Sequence, residues 1–377
     1  MTLYVETVSD LTFQSDVTAV VDILYQRHPL DPRIAPYGAT VYQQKKDSPV
    51  AAMTLPIGAT NTPTAIREII NPQPAGEDPD SPLGLLRYYN QAEMILVVSN
   101  SGISATSGKF NNFATAIPSN QLAAIFTTNN SFQDAREEKT VRPLDINIGA
   151  LKDWSQTNSN LRVALGSRDM NSIYVLDRRT LPGTSLAAVR VSNGLSLPSR
   201  GLTVVSARPL YVWGHYNQTN NANLGTTNTQ STRPASLVAD AVTILSPSWT
   251  DANSTNNTRN ATPTTVNAAL LTGVVETTWN QYSGGMENFP RFLESWGLSN
   301  PLRYNGSMVK MFPSFYATNV WGKANVYNPP KRDWSYDLNF NDAEKLPPLT
   351  PSLLKVIRGQ WATVAPGSNT VASVTYP

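Results

Sequence analysis

Four short apolar runs, set apart by long polar stretches, constrain the fold of this chain more than any other feature. They are Pro209-Leu-Tyr-Val-Trp-Gly214, Leu237-Val-Ala-Asp-Ala-Val-Thr-Ile-Leu245, Thr265-Val-Asn-Ala-Ala-Leu-Leu-Thr-Gly273 and Tyr304-Asn-Gly-Ser-Met-Val-Lys-Met-Phe312. A small residue, Gly214, Ala239, Ala268 or Gly306, sits in or beside each run. The intervening segments are rich in Asn, Thr, Ser, Gly and Pro. Short strands joined by long polar loops predict a mainly β chain, in which each coil buries its apolar side chains on the next. The architecture expected over 186–312 is a right-handed parallel β-helix-like stack with a loose, uneven repeat. The four small residues are expected at crowded inward or corner positions.

The flanks read differently. Residues 1–82 predict short strands and loops: Leu3-Tyr-Val-Glu-Thr-Val8 and Leu11-Thr-Phe-Gln-Ser-Asp-Val17 alternate apolar and polar side chains, the period of a half-buried strand. Prolines 72, 74, 79 and 82 then mark a boundary, because proline lacks a backbone donor and restricts the residue before it. Residues 83–185 predict a small α/β insertion that packs on one face or end of the stack. It holds a short helix over 83–92, strands at Met94-Ile-Leu-Val-Val-Ser99 and Ser172-Ile-Tyr-Val-Leu-Asp177, and Ser119 as N-cap of 120–126. Asp145-Ile-Asn-Ile-Gly149 runs into Ala150-Leu-Lys-Asp-Trp154 as a strand-to-helix passage. Asn193-Gly194 is a turn signal open to two readings, a hairpin in a meander or a corner of the stack. The polar loops 217–233 and 251–264 are expected as exposed excursions. In 313–377, Trp321, Tyr327, Trp334, Tyr336, Phe340 and Trp361 lie among prolines and predict an extended tail covering one face of the stack.

Composition excludes several functions. Charged residues make up 15% of 377 residues and the formal net charge is +2, with basic residues clustered no further than pairs such as Lys45-Lys46 and Arg178-Arg179. Nucleic acid as the main partner needs denser Lys and Arg. The absence of cysteine removes disulfides, thiolate metal sites and cysteine nucleophiles. No apolar run reaches the roughly 18 residues needed to span a bilayer. The N-terminus lacks a basic region followed by an apolar core, so it is not a signal peptide. The expectation is that a targeting segment has been removed. A polar surface of Asn, Thr, Ser and Gln, rather than Lys and Glu, points to the cell envelope or the extracellular space.

A set of motifs carries a resemblance. Val189-Arg-Val-Ser-Asn-Gly194, Gly201-Leu-Thr-Val-Val205, Tyr282-Ser-Gly-Gly285, Glu287-Asn-Phe-Pro-Arg-Phe-Leu-Glu294, Tyr327-Asn-Pro-Pro330 and Arg358-Gly-Gln-Trp361 belong to it, together with the four apolar runs. Arg87-Tyr-Tyr-Asn90 and Phe132-Gln-Asp-Ala-Arg-Glu137 extend it upstream. Over 83–361 the chain is similar to large bacterial envelope proteins that start with a pilin-like membrane segment and continue into β-helix-like repeats and a C-terminal module. The resemblance implies an exported, pilus-associated protein whose partners are other envelope or pilus proteins or further copies of itself.

The residues offer few routes to catalysis. Only His28 and His215 are present, which excludes a zinc site of several histidines. His215 follows Gly214 directly and is a candidate base or ligand, or else a half-exposed stack residue. No Gly-x-Ser-x-Gly elbow occurs. Paired carboxylates are the remaining chemistry, since glycoside cleavage needs two facing one cleft. The candidates are Asp240, Glu287 and Glu294. Tyr211, Trp213, Tyr216 and Trp249 are candidates for a sugar-binding face, because aromatic rings stack on apolar sugar faces. Asp337-Leu-Asn-Phe-Asn-Asp342 starts with calcium-loop spacing but carries Asp342 where the motif has Gly and Pro348 where it has Glu. No cofactor is expected, calcium being the one considered. The function expected is a non-enzymatic structural or interaction protein, with a carbohydrate-binding or carbohydrate-cleaving β-helix protein as the alternative.

Overall fold

A run such as Ser172-Ile-Tyr-Val-Leu-Asp177 has no polar face, so a strand made from it must be covered on both sides. The fold meets that demand with two mainly parallel sheets packed face to face and covered outside. It is seen in a computed structural model that describes residues 55, 58–59, 62–108, 123–257, 259–275, 290–311 and 326–351. The strands expected in 1–54, Ser119, Trp321 and Trp361 lie outside the described residues.

The chain enters through helix α1 (Pro63–Glu68), started by the Thr62 hydroxyl accepting from the Ala65 amide and by a proline in the first turn. A short turn of helix, α2 (Tyr88–Gln91), leads to strand β1 (Met94–Ser99), which folds back as β2 (Gly102–Thr106). Next come β3 (Phe126–Thr127), β4 (Phe132–Asp134) and β5 (Lys139–Asn147). The last residue of β5, Asn147, caps helix α3 (Ile148–Thr157), its side chain accepting from the Ala150 amide at 3.0 Å. Asn158 caps α4 (Ser159–Ala164) in the same way. Then follow β6 (Ser172–Asp177), β7 (Leu186–Gly194), β8 (Leu202–Ser206), β9 (Leu210–Tyr216), β10 (Ala235–Ala239) and β11 (Val242–Leu245). The series continues with β12 (Thr264–Asn267), β13 (Ala269–Thr272), β14 (Arg291–Phe292), β15 (Ser295–Gly306), β16 (Met308–Lys310) and β17 (Asn328–Tyr336). None of the described helices is long and apolar enough to cross a membrane.

One sheet has the order β16-β13-β10-β8-β6-β1-β2 and the other β17-β15-β12-β9-β7-β5-β3, with β11 beside β9, β14 beside β11 and β4 beside β5. From β5 onward the chain passes back and forth between the sheets, and each new strand pairs parallel with an earlier strand of its own sheet. Pairing is parallel throughout, except where β2, β3 and β4 pair antiparallel at the N-terminal end. Asn193-Gly194 is therefore no hairpin: β7 pairs parallel with β9, and β8 lies in the opposite sheet. The strands of 83–185 are not an insertion either, since β1 and β6 are rungs of one sheet and β5 of the other. Helices α3 and α4 form the connection between them.

In-register rows of apolar side chains build the core. In the first sheet Met94, Ile173, Val204, Leu237, Leu270 and Met308 line up across successive strands. Opposite them Ile146, Val191, Val212, Ile244 and Phe292 do the same. Both rows belong to one cluster between the sheets. Burying each such side chain contributes roughly 1.5–3 kcal/mol. The alternate residues Ile95, Tyr174, Val205, Val238 and Leu271 point out of the first sheet and pack under Leu55, Ile66, Ile69, Ile70 and Tyr88. Tyr211, Leu245 and Leu293 point out of the second sheet and pack with Phe132, Trp249 and Val326. Two covered faces explain why the sequence shows continuous apolar runs rather than a clean alternation.

The C-terminal aromatics divide. Trp334 and Tyr336 lie in β17, the end strand of the second sheet, so this part of the tail extends that sheet instead of covering it. Covering does occur further on, where the Thr203 hydroxyl donates to the Pro348 carbonyl and Leu349 packs on the outer face of the first sheet.

The small residues have distinct reasons. Gly306 is crowded: a Cβ there would lie 2.0 Å from the Ala268 carbonyl oxygen. Ala239 and Ala268 are buried in the core. Gly214 is not crowded, for a Cβ would meet nothing within 4 Å. Its φ of +85° is the cause. Between the pairs Ser192–Trp213 and Gly194–Tyr216, β9 has two residues where β7 has one, a bulge that calls for left-handed backbone.

Candidate functional site

Both carboxylates considered for catalysis that fall within the described residues are bound to neighbouring backbone. Asp240 occupies the two-residue corner between β10 and β11. Its Oδ1 accepts from the Val274 and Val275 amides, at 2.9 and 2.7 Å, which belong to the matching corner after β13. Glu294 follows β14 and accepts from the Ser246 amide and the Ser246 hydroxyl, each at 2.6 Å. Burial pushes the Glu294 carboxyl above its ordinary range, against the pull of these bonds. Asp240 and Glu294 are 4% and 1% exposed, so neither faces a cleft that a polysaccharide could enter. Glu287 lies outside the described residues.

The aromatic candidates do not form a surface. Tyr211, Tyr216 and Trp249 are buried, and Trp213 is half-buried. The Tyr211 hydroxyl donates to Asp134 Oδ2 at 2.6 Å, and Tyr216 lies in the core between the sheets. Trp213 stands over a buried cation: its ring centroid is 4.8 Å from the Arg190 guanidinium carbon, with the Phe132 ring 5.3 Å from the same atom. Arg190 pairs with Asp145 and Asp251, and the Trp249 indole N–H donates to Asp251 Oδ1 at 2.9 Å. This assembly pins Trp249 and Asp251 onto the outer face of the second sheet. A paired charge in such a place ties one arrangement of the loop to the sheet, because an unpaired one is costly to bury.

His215 is half-buried, and its Nδ1 accepts from the Thr265 amide at 3.0 Å. Burial pushes its pKa down. No described carboxylate or hydroxyl pairs with it in a catalytic arrangement. His28 lies outside the described residues. Among the described residues no group of three or more His, Asp or Glu side chains could hold a metal ion. Asp337, first residue of the calcium-like stretch, is instead the cap of a 3-10 turn (Leu338–Asn341), accepting from the Asn339 amide at 3.0 Å and the Thr229 hydroxyl at 2.8 Å.

Thr229 and Asp337 also line a cleft of about 330 Å3, between the loop after β9 and the turns after β17. Gln230, Thr232, Arg233 and Pro234 line one side, and Asn339, Phe340 and Lys345 the other. Asn339 Nδ2 donates to the Thr229 carbonyl at 3.2 Å and holds the walls together. The sequence gives no signal for this site, since its walls lie roughly a hundred residues apart and neither carries a motif. Arg233 sits in a loop that reads only as a polar excursion. Compared with known proteins, no family model, no curated protein and no solved structure matches the chain.

Proposed function

We propose that this chain is a non-enzymatic structural or interaction protein. On this reading it is a right-handed parallel β-helix-like stack forming the surface-exposed part of a bacterial envelope or pilus-associated protein. Its partners are other envelope or pilus proteins or further copies of itself. The observation that carries the scaffold reading is the use made of the buried acids. Asp240 and Glu294, the residues best placed in sequence for chemistry, each tie one rung to the next through backbone N–H groups. From β5 onward the main path of strands in each sheet follows chain order, which supports a coil advancing one rung at a time. The right hand follows from the strong preference of parallel crossover connections. The envelope location rests on the motifs of 83–361 and on the Asn- and Thr-rich loops.

Two experiments test this. Purified protein is screened against polysaccharides, esters and peptides, with Asp240→Asn and Glu294→Gln as controls. Turnover abolished by either substitution, in a variant that still melts cooperatively, overturns the non-enzymatic reading. Fractionation of cells expressing the full-length gene tests location: recovery in the membrane or extracellular fraction is expected, and recovery in the cytoplasm alone refutes it.

A further inference from the structure

We propose that the cleft between the loop after β9 and the turns after β17 binds a short acidic saccharide, whose carboxylate pairs with the Arg233 guanidinium. The inference is independent of the scaffold reading and adds a ligand to it. It begins with the backbone of Arg233, which is fixed from the core. Its amide donates to Asn217 Oδ1 at 2.8 Å, and its carbonyl accepts from Asn217 Nδ2 at 2.6 Å. The side chain is left exposed, with no hydrogen bond or ion pair to any described residue. A guanidinium on a fixed backbone, exposed and without a described partner, is suited to bidentate capture of a carboxylate.

The rest of the lining agrees in sign. Lys345 adds a second cation at the rim, its nearest acid being the exposed Asp342 at 3.5 Å. The one buried acid, Asp337, already accepts from Thr229 and Asn339. With Lys345 near Asp342 and Asp337 satisfied by the walls, the Arg233 guanidinium is the lining cation left without a described partner, and it favours an anionic group. The Thr232 hydroxyl and Asn339 Nδ2 already donate to Thr229, so the exposed Gln230 side-chain amide is the group placed to pair with ring hydroxyls. The cavity is of small-ligand size, near the lower end of the usual range of about 300–1,000 Å3. Among the described lining residues the walls are loop and 3-10 turn, with no strand edge to receive an extended peptide backbone. The walls are already joined through Thr229, Asp337 and Asn339, so little ordering is left for the ligand to impose.

The test is titration calorimetry with trigalacturonate, galactotriose and triglutamate on the full chain. Trigalacturonate is expected to bind at least tenfold more tightly than either of the others, and more weakly as salt is raised. R233Q should lose at least tenfold and K345Q a smaller factor, both with unchanged melting temperature, since Asn217 holds only the Arg233 backbone. Absence of trigalacturonate binding overturns the proposal. So does equal affinity in R233Q. Tighter binding of triglutamate overturns it too, and identifies an acidic-peptide site. If R233Q melts early, K345Q and the salt dependence decide: affinity unmoved by both is again a refutation.

Discussion

Asn217 and Asn267 hold each other across neighbouring strands. The Asn267 amide donates to the Asn217 carbonyl oxygen at 2.9 Å, and the Asn217 amide donates to the Asn267 carbonyl oxygen at 2.8 Å. Asn305, on the next rung, donates to Asn267 Oδ1 at 2.7 Å, and the Ser335 hydroxyl beyond it donates to Asn305 Oδ1 at 2.6 Å. The result is a ladder of side chains along one corner. An amide suits it because it donates to one neighbour and accepts from the other. Burial makes the arrangement obligatory, since an orphaned polar group inside is costly.

Asn267→Ala should therefore destabilise the protein severely. It leaves the Asn217 carbonyl and the Asn305 amide each short of a partner at a position 1% exposed. The expected loss is about 1–3 kcal/mol for each orphaned group. Urea unfolding measures it, and a loss below about 0.5 kcal/mol would remove the ladder from any account of stability.

The ladder also shows where sequence reading stops. The apolar runs were legible because they mark strands buried on both faces, and the passage from β5 into α3 was legible because Asn147 is a cap. Asn217 reads only as the start of a polar loop and Asn305 only as a polar residue in an apolar run, since their alignment depends on register between strands. The extent of the two parallel sheets is hidden for a related reason. Strands β1, β5 and β6 are interrupted by helices, and the interruption hides that they belong to the same two sheets. Aromatic residues misled most. Tyr211 and Trp249 look like a sugar platform in one dimension and are buried by the segments that fold over the second sheet.

Corner residues should respond to substitution according to the cause of their size. Ala239→Leu overfills a site with no exposure and should cost about 1–3 kcal/mol. Gly306→Ala drives a Cβ against the backbone carbonyl of Ala268 and should be worse than Gly214→Ala, which meets no atom and pays only for left-handed backbone, about 1–2 kcal/mol. Thermal melts of the three variants test the ranking. Gly214→Ala as the most damaging of the three would contradict the bulge explanation.

Glu294 separates a needed acceptor from a needed charge. Glu294→Ala strands the Ser246 amide and hydroxyl and should cost on the order of 2–5 kcal/mol at any pH from 6 to 8. Glu294→Gln keeps a carbonyl for the amide and should cost far less. The sign of its pH dependence follows from burial, which raises the carboxyl pKa in the folded state. A raised acid contributes stability that is complete below its unfolded pKa and is lost as pH rises through the folded value. Wild type should therefore gain on Glu294→Gln as pH falls from 7 toward 4. Equal losses in the Ala and Gln variants at pH 7 would contradict this.

His215 should make stability sensitive to mild acid. Its Nδ1 accepts the Thr265 N–H at 3.0 Å, which only the neutral ring can do. The Thr265 hydroxyl in turn accepts the Gly225 amide at 2.8 Å, so the loop that lines the cleft is tied to this bond. Burial lowers the folded-state pKa below the ordinary value near 6.5. A lowered base means that the unfolded chain binds the proton more readily, so stability is complete above about pH 6.5 and declines as pH falls through the folded value. The decline is worth about 1.4 kcal/mol for each unit of separation between the two pKa values. His215→Gln supplies a carbonyl acceptor that does not titrate, and His28 is common to both proteins and cancels in the comparison. Urea unfolding at pH 7.5 and 5.5 should show wild type losing more stability than His215→Gln. Parallel losses in the two proteins would place the acid sensitivity elsewhere and leave His215 as a spacer between rungs.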